Sequence, residues 1–113
     1  MNKSSANLRL DHLYLTARKP DWLAEWYAER FGFVAKGGFV ITGGMVLVFK
    51  EGEPEQQQAG ARFGFRAETL QDLRELAAAL DAELVETDEY ASFSSHDPEG
   101  YEFEVYFEGS ELK

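Results

Sequence analysis

The chain of 113 residues is long enough for one continuous core and too short for two independent ones. Hydrophobic residues make up 44% and aromatics 14%, nine of them Phe, which excludes an intrinsically disordered chain. A formal charge of −10 with scattered Lys and Arg argues against a nucleic-acid partner, and the lack of Cys excludes disulfides, thiolate zinc sites and cysteine nucleophiles.

No apolar run approaches membrane-spanning length, and residues 1–6 lack the apolar core of a signal peptide. The expectation is a soluble, cytoplasmic protein with no membrane partner. Residues 1–7 are small and polar and read as a flexible N-terminus. Residues 8–16 read as a strand, with Leu13 and Leu15 on one face and Leu8, Leu10, His12 and Tyr14 on the other. The spacing predicts a helix over 21–31, entered through Pro20 and closed by Gly32. Trp22, Leu23, Trp26, Tyr27 and Phe31 form its apolar stripe, so both tryptophans are expected in the core and carry no functional role. Short strands follow at 33–35 and 38–42, and Gly43-Gly44 reads as a two-residue hairpin connection into a strand at 45–50.

Residues 51–60 contain Pro54 and three consecutive Gln, lack apolar periodicity and read as a linker. The same order then begins again. A strand over 61–67 sets Phe63 and Phe65 against Arg62, Gly64 and Arg66. Thr69 caps a helix with Asp72 three residues on, and Leu70, Leu73, Leu76, Ala77 and Leu80 form its stripe. Short strands are expected at 83–86 and 90–94, and the acidic residues between Glu83 and Glu89 read as a solvated edge. Asp97-Pro98-Glu99-Gly100 is turn chemistry, and the strand after it alternates strictly. Phe103, Val105 and Phe107 point one way, and Glu102, Glu104 and Tyr106 the other.

The two halves align at an offset of fifty positions, which puts His12 on Arg62, Leu23 on Leu73 and Trp26 on Leu76. The pattern is that of an α+β protein made of two β-α-β-β-β modules. The first runs over about 8–50, the linker over 51–60 and the second module over about 61–108, in one domain with a tail at 109–113.

Paired modules of this order, with Leu10-Asp11-His12-Leu13 opening the first strand and Asp97-Pro98-Glu99-Gly100 running into Glu102-Phe103-Glu104-Val105, resemble the vicinal-oxygen-chelate superfamily. That group holds glyoxalase I, the bleomycin-resistance proteins, the fosfomycin-resistance transferases and the extradiol dioxygenases. The resemblance spans about residues 8–108 and implies curled sheets enclosing a cleft, with helices outside. In the metal-using members a first-strand His, a fifth-strand His and a last-strand Glu hold a divalent ion, and glyoxalases add a fourth-strand carboxylate. Carried over, His12 takes the first position and Glu104 the last, while Arg62 stands at the second and Val48 at the fourth-strand position. A guanidinium at that corner repels a metal ion and is a natural partner for Glu104 or Glu102. His96 reads as a loop histidine ahead of the last strand, hydrogen-bonded to backbone.

The resemblance therefore implies a protein of the bleomycin-resistance kind, binding a small molecule without a metal or other cofactor. Its expected cleft residues are His12, Tyr14, Arg62, Glu102, Glu104 and Tyr106. Tyr14, Tyr90 and Tyr106 read equally as ligand walls or ordinary amphipathic sheet residues. The alternative is a lyase, isomerase, thiol transferase or dioxygenase using Ni, Co, Mn, Fe or Zn, with His12 and Glu104 as ligands and candidate catalytic residues. A second alternative is a non-catalytic protein-interaction domain. The resemblance also implies a homodimer.

Overall fold

The computed structural model describes residues 8–57 and 60–109. The expected flexible N-terminus at 1–7 and most of the tail lie outside the described residues. The chain divides between Glu53 and Pro54 into two compact units.

The first unit contains β1 (His12–Ala17), α1 (Pro20–Phe31), β2 (Val34–Lys36), β3 (Phe39–Ile41) and β4 (Val46–Glu51), with sheet order β1-β4-β3-β2. β1 runs parallel to β4, and the other pairs are antiparallel. The second repeats the plan with β5 (Phe63–Arg66), α2 (Leu70–Ala79), β6 (Val85–Glu86), β7 (Ala91–His96) and β8 (Glu102–Phe107), in the order β5-β8-β7-β6. This is the repeated β-α-β-β-β arrangement of an α+β fold.

Each core lies between one helix and one sheet. In the first unit Leu23, Ala24 and Tyr27 of α1 are buried, as are Val40, Leu47 and Phe49 of the sheet. The rings of Tyr27 and Phe49 stack with centroids 5.8 Å apart. In the second unit Leu70, Leu73 and Ala77 of α2 are buried, with Phe93, Phe103, Val105 and Phe107 from the sheet. Each such side chain contributes about 1.5–3 kcal/mol by leaving water.

The helix ends follow the sequence closely. Gly32 takes the left-handed conformation, φ 75°, and its N–H donates to Ala28 O at 3.0 Å. Thr69 Oγ1 accepts from the Asp72 N–H at 3.0 Å.

Several expectations need correction. β1 begins at His12, not at residue 8, because its partner β4 begins opposite His12, at Val46, and leaves residues 8–11 without a ladder. Leu8 and Leu10 are accordingly exposed. Trp22 is exposed and Trp26 only half-buried. The buried face of α1 centres on Leu23, Ala24 and Tyr27, and Trp22 lies about 100° round the helix from Leu23, on the side away from Ala24. The β3–β4 connection is not a two-residue hairpin. The Ile41–Val46 pairing leaves residues 42–45 as the loop, and the Thr42 hydroxyl closes it by donating to Met45 O.

The expected linker is also anchored in its described part. Thr16 Oγ1 donates to Glu53 O at 2.6 Å, and Arg18 Nη2 lies 3.2 Å from Glu53 Oε1. Further on, the Glu55 N–H donates to Tyr101 Oη at 2.8 Å, and Gln57 Oε1 accepts from the Glu102 N–H at 2.7 Å.

The Asp97-Pro98-Glu99-Gly100 turn joins β7 to β8. Asp97 is buried, and its Oδ1 accepts from the N–H groups of Glu99 (2.9 Å) and Tyr101 (3.0 Å). Gly100 has φ 97° and its N–H donates to Asp97 O at 2.9 Å. Asp97→Ala leaves the buried Tyr101 N–H and the part-buried Glu99 N–H without this acceptor and is expected to cost about 2–4 kcal/mol in urea unfolding. Asp97→Asn keeps one acceptor oxygen and is expected to recover at least half of that.

Candidate functional site

The helix-free face of each sheet carries the candidate residues. Strand alternation and register fix which side chains share it.

In the second unit, β5 pairs with β8 so that Gly64 faces Glu104 and Arg66 faces Tyr106, which brings Arg62 level with Glu102. On the other side of β8, β7 sets His96 opposite Glu102, Ser94 opposite Glu104 and Ser92 opposite Tyr106. The open face thus reads, row by row, Arg62–Glu102–His96, Gly64–Glu104–Ser94 and Arg66–Tyr106–Ser92. Phe103, Val105 and Phe107 point to the helix side and are buried.

Arg62 binds both glutamates. Its Nε donates to Glu104 Oε1 at 3.5 Å, and its Nη1 lies 3.8 Å from Glu102 Oε2. Nη1 also donates to Gly60 O at 3.5 Å. About a third of each side chain is exposed, 38% for Arg62, 31% for Glu102 and 32% for Glu104, so the trio is open to a ligand and partly screened by water. Beside Glu104 the sheet is low, because Gly64 has no side chain and a Cβ there would meet nothing within 4 Å.

Further along, the Arg66 guanidinium lies over the Tyr106 ring at 5.5 Å and pairs with Glu108 at 3.1 Å. Hydrogen bonds to Tyr106, and next to Glu108, raise the Arg66 pKa above the ordinary arginine value and keep it charged.

His96 is not a loop residue. It is the last residue of β7, paired with Glu102, and it belongs to the same open face. The buried Asp97 turn begins one residue later than a loop reading allows, which carries the ladder through His96.

The first unit presents a different face. His12 lies opposite Val46, which lies opposite Ile41 and then Val34; Tyr14 lies opposite Val48, followed by Phe39 and Lys36. Tyr14 (54%), Val34 (57%), Phe39 (49%) and Ile41 (40%) are exposed, whereas Val48 is buried among them. His12 Nδ1 is 3.1 Å from Asp11 Oδ2, and its ring meets Tyr14 edge-on at 5.3 Å. Lys50 Nζ lies 5.9 Å from the centroid of the Tyr14 ring.

The two registers put corresponding positions side by side. Val46 holds in the first unit the place that Glu102 holds in the second, and Val48 the place of Glu104. The sequence reading located His12, Tyr14, Arg62, Glu102, Glu104 and Tyr106 on these faces but missed Val34, Phe39 and Ile41. Their signal was the pairing across residues 42–45, which fixes which side of each short strand faces out.

The metal-using members of the superfamily this chain resembles hold a divalent ion, and the residues on the second sheet's open face do not fit one. The charged group paired with Glu104 is a guanidinium, which has no lone pair to give and carries a charge that opposes a cation. Among the described residues, no group of three or more His, Cys, Asp or Glu side chains gathers as a metal would need. Among the same residues no helix is long and apolar enough to cross a membrane.

No protein-family model matches the sequence, and no curated protein does. Solved structures do match. A protein assigned to the glyoxalase family from Bacillus anthracis superposes with a TM-score of 0.71 at 14% identity, over 95% of this chain and 100% of its own. A lactoylglutathione lyase from Agrobacterium tumefaciens gives 0.62 at 20% identity, over 88% and 92%. The oxidase ChaP-H1 gives 0.66 at 16% identity, over 90% and 97%. At such identities the likeness is one of fold, and this fold hosts different reactions.

Removing the guanidinium tests how the charged trio contributes. Arg62→Ala is expected to cost less than about 1 kcal/mol in urea unfolding, with the difference shrinking at high salt. A loss above about 2 kcal/mol that salt leaves unchanged would mark the trio as a structural element of the sheet.

Proposed function

The chain has the fold of the vicinal-oxygen-chelate proteins, and on it we propose a protein that binds a small molecule without a metal, of the sequestration or resistance kind. The observation that carries this reading is the Arg62 guanidinium between Glu102 and Glu104. A carboxylate on a partly covered sheet face is stabilised by a cation beside it. In the metal-using relatives that cation is the ion; in this chain Arg62 supplies it. The positive charge is then covalently fixed, and no coordination position is left for vicinal oxygens. What remains is a set of hydrogen-bond donors and acceptors beside the low spot at Gly64, suited to holding a ligand.

A metal-dependent reaction is the competing reading, and His12 is what favours it. Its Nδ1 rests on the Asp11 carboxylate, the arrangement that orients imidazole ligands and leaves Nε2 available. A homodimer belongs to the proposal as well, on the strength of the resemblance, and sedimentation equilibrium measures it directly.

Elemental analysis of untagged protein, followed by calorimetric titration with Ni(II), Co(II), Mn(II), Fe(II) and Zn(II), separates the readings. The expected result is no stoichiometric metal and no saturating heat. Arg62→His is expected to gain Ni(II) binding, because it replaces a repelling cation with an imidazole donor next to Glu104. Stoichiometric metal in the wild type, lost in both His12→Ala and Glu104→Ala, would overturn the metal-free proposal in favour of a metalloenzyme.

A further inference from the structure

The first sheet's open face has a chemistry opposite to that of the second. Its positions, taken from the register, are His12, Tyr14 and Thr16 on β1, Val46, Val48 and Lys50 on β4, Phe39 and Ile41 on β3, and Val34 and Lys36 on β2. No carboxylate stands at any of them, although the whole chain carries a charge of −10. The two charged residues are both lysines, and among the described residues neither takes part in an ion pair. Of the acids beside these positions, Asp11 is engaged on His12 Nδ1, Glu53 pairs with Arg18, and Glu51 follows Lys50 on the opposite parity of β4.

The apolar part of the face is a platform. Val48 is buried at its centre, with Tyr14 on one side and Phe39 on the other, and both rings are exposed. Adjacent strands lie about 4.8 Å apart, so the backbones carrying the two rings are about 10 Å apart, a span that one flat ring system can cover by lying against both. Val46, Ile41 and Val34 continue the apolar surface across the sheet. Lys36 ends the Tyr14–Val48–Phe39 row, and Lys50 stands one row on, near the Tyr14 ring. Apolar surface in a charged rim is the composition of a small-molecule site, and here the rim is cationic.

We infer that this face takes a flat apolar anion of the aryl-carboxylate class, its ring against the exposed rings of Tyr14 and Phe39 and its carboxylate toward Lys36 and Lys50. The inference rests on the small-molecule reading above, gives the ligand a chemistry and places it on the first sheet's face instead of beside Gly64. Net charge alone points toward a cationic guest; the local distribution reverses that choice, because a ligand responds to the charges within about a Debye length of it. On the second sheet Arg62 neutralises Glu102 and Glu104 in part, whereas the first sheet's outward charges are Lys36 and Lys50.

The test compares three ligands of the same shape, 2-naphthoate, 2-naphthalenemethanol and 2-naphthylmethylammonium, by calorimetry and by amide chemical-shift mapping on the whole chain. Naphthoate is expected to bind at least about tenfold more tightly than the alcohol, and the ammonium most weakly. Shift changes are expected on β1, β3 and β4. The double substitution Lys36→Glu and Lys50→Glu is expected to abolish the preference for the anion while leaving the alcohol's affinity unchanged. Phe39→Ala is expected to weaken naphthoate and alcohol alike. These three residues are exposed, so circular dichroism should confirm an unchanged fold.

An ammonium that binds as well as the carboxylate sinks the inference, as does a preference that survives the double substitution. Binding of the naphthyl compounds around Glu102 and Glu104 on β8 also sinks it, while leaving the small-molecule reading in place. The metal titration decides that earlier reading independently. If none of the three compounds binds the folded protein, the ligand class proposed here is wrong.

Discussion

The buried Asp97 carboxylate is the constraint on which the second sheet depends. By accepting the N–H groups of Glu99 and Tyr101 it fixes where the turn starts and where β8 begins. A side-chain period of two means that a slip of one residue would exchange the faces of the strand. Phe103, Val105 and Phe107 would then meet water, and Glu102 and Glu104 would meet α2. The turn and the hydrophobic core therefore specify the same register, and the charged row on the open face is a consequence of both. Tyr101 strengthens the arrangement from outside the strand: it is buried, and its hydroxyl accepts the Glu55 N–H.

The two units solve one packing problem in the same way and differ in what they leave exposed. In each, the first strand lies parallel to the last, the helix covers one side, and the alternate residues face out. Where the second unit has Arg62, Glu102 and Glu104, the first has His12, Val46 and Val48. A fold fixes directions, and the identity of the outward residue then sets the chemistry at little cost to the core. This separation lets the outward residue change without disturbing the sheet: Arg62 precedes β5 and draws its partners from β8, while the packing beneath is carried by phenylalanines and Val105.

Charge must be read locally in such a molecule. The overall excess of acid is spread over helices, turns, the second sheet and Glu51 at the end of β4, and the charged residues at the first sheet's outward positions are lysines. Water screens charges beyond about 8–10 Å, so the charges on a face count for more to a small ligand there than the net charge does. Two open faces of opposite character within 113 residues are therefore compatible with an acidic chain.

The fold was legible in the sequence because its signals are local. Thr69 with Asp72 sets the start of one helix, Gly32 the end of the other, Asp97 to Gly100 the turn, and strict alternation the faces of β8; each depends on interactions within a few residues. Arg62 and Glu104 were legible as a pair because parity placed both on one side. Features that depend on a distant partner were not. Trp22 reads as core on a helical stripe, yet the face of α1 that is buried is decided by the sheet beneath it. His96 reads as a loop residue until its pairing with Glu102 is known, and Gln57 as linker until Glu102 supplies its backbone partner. The outward apolar platform of Val34, Phe39 and Ile41 lies on three-residue strands too short to declare their own alternation. The sequence by itself determined the order of elements and the residues of the charged row, through local hydrogen bonds and periodicity. Tertiary structure alone decided which apolar side chains are buried and which stand exposed, because that is a property of the surface each element meets.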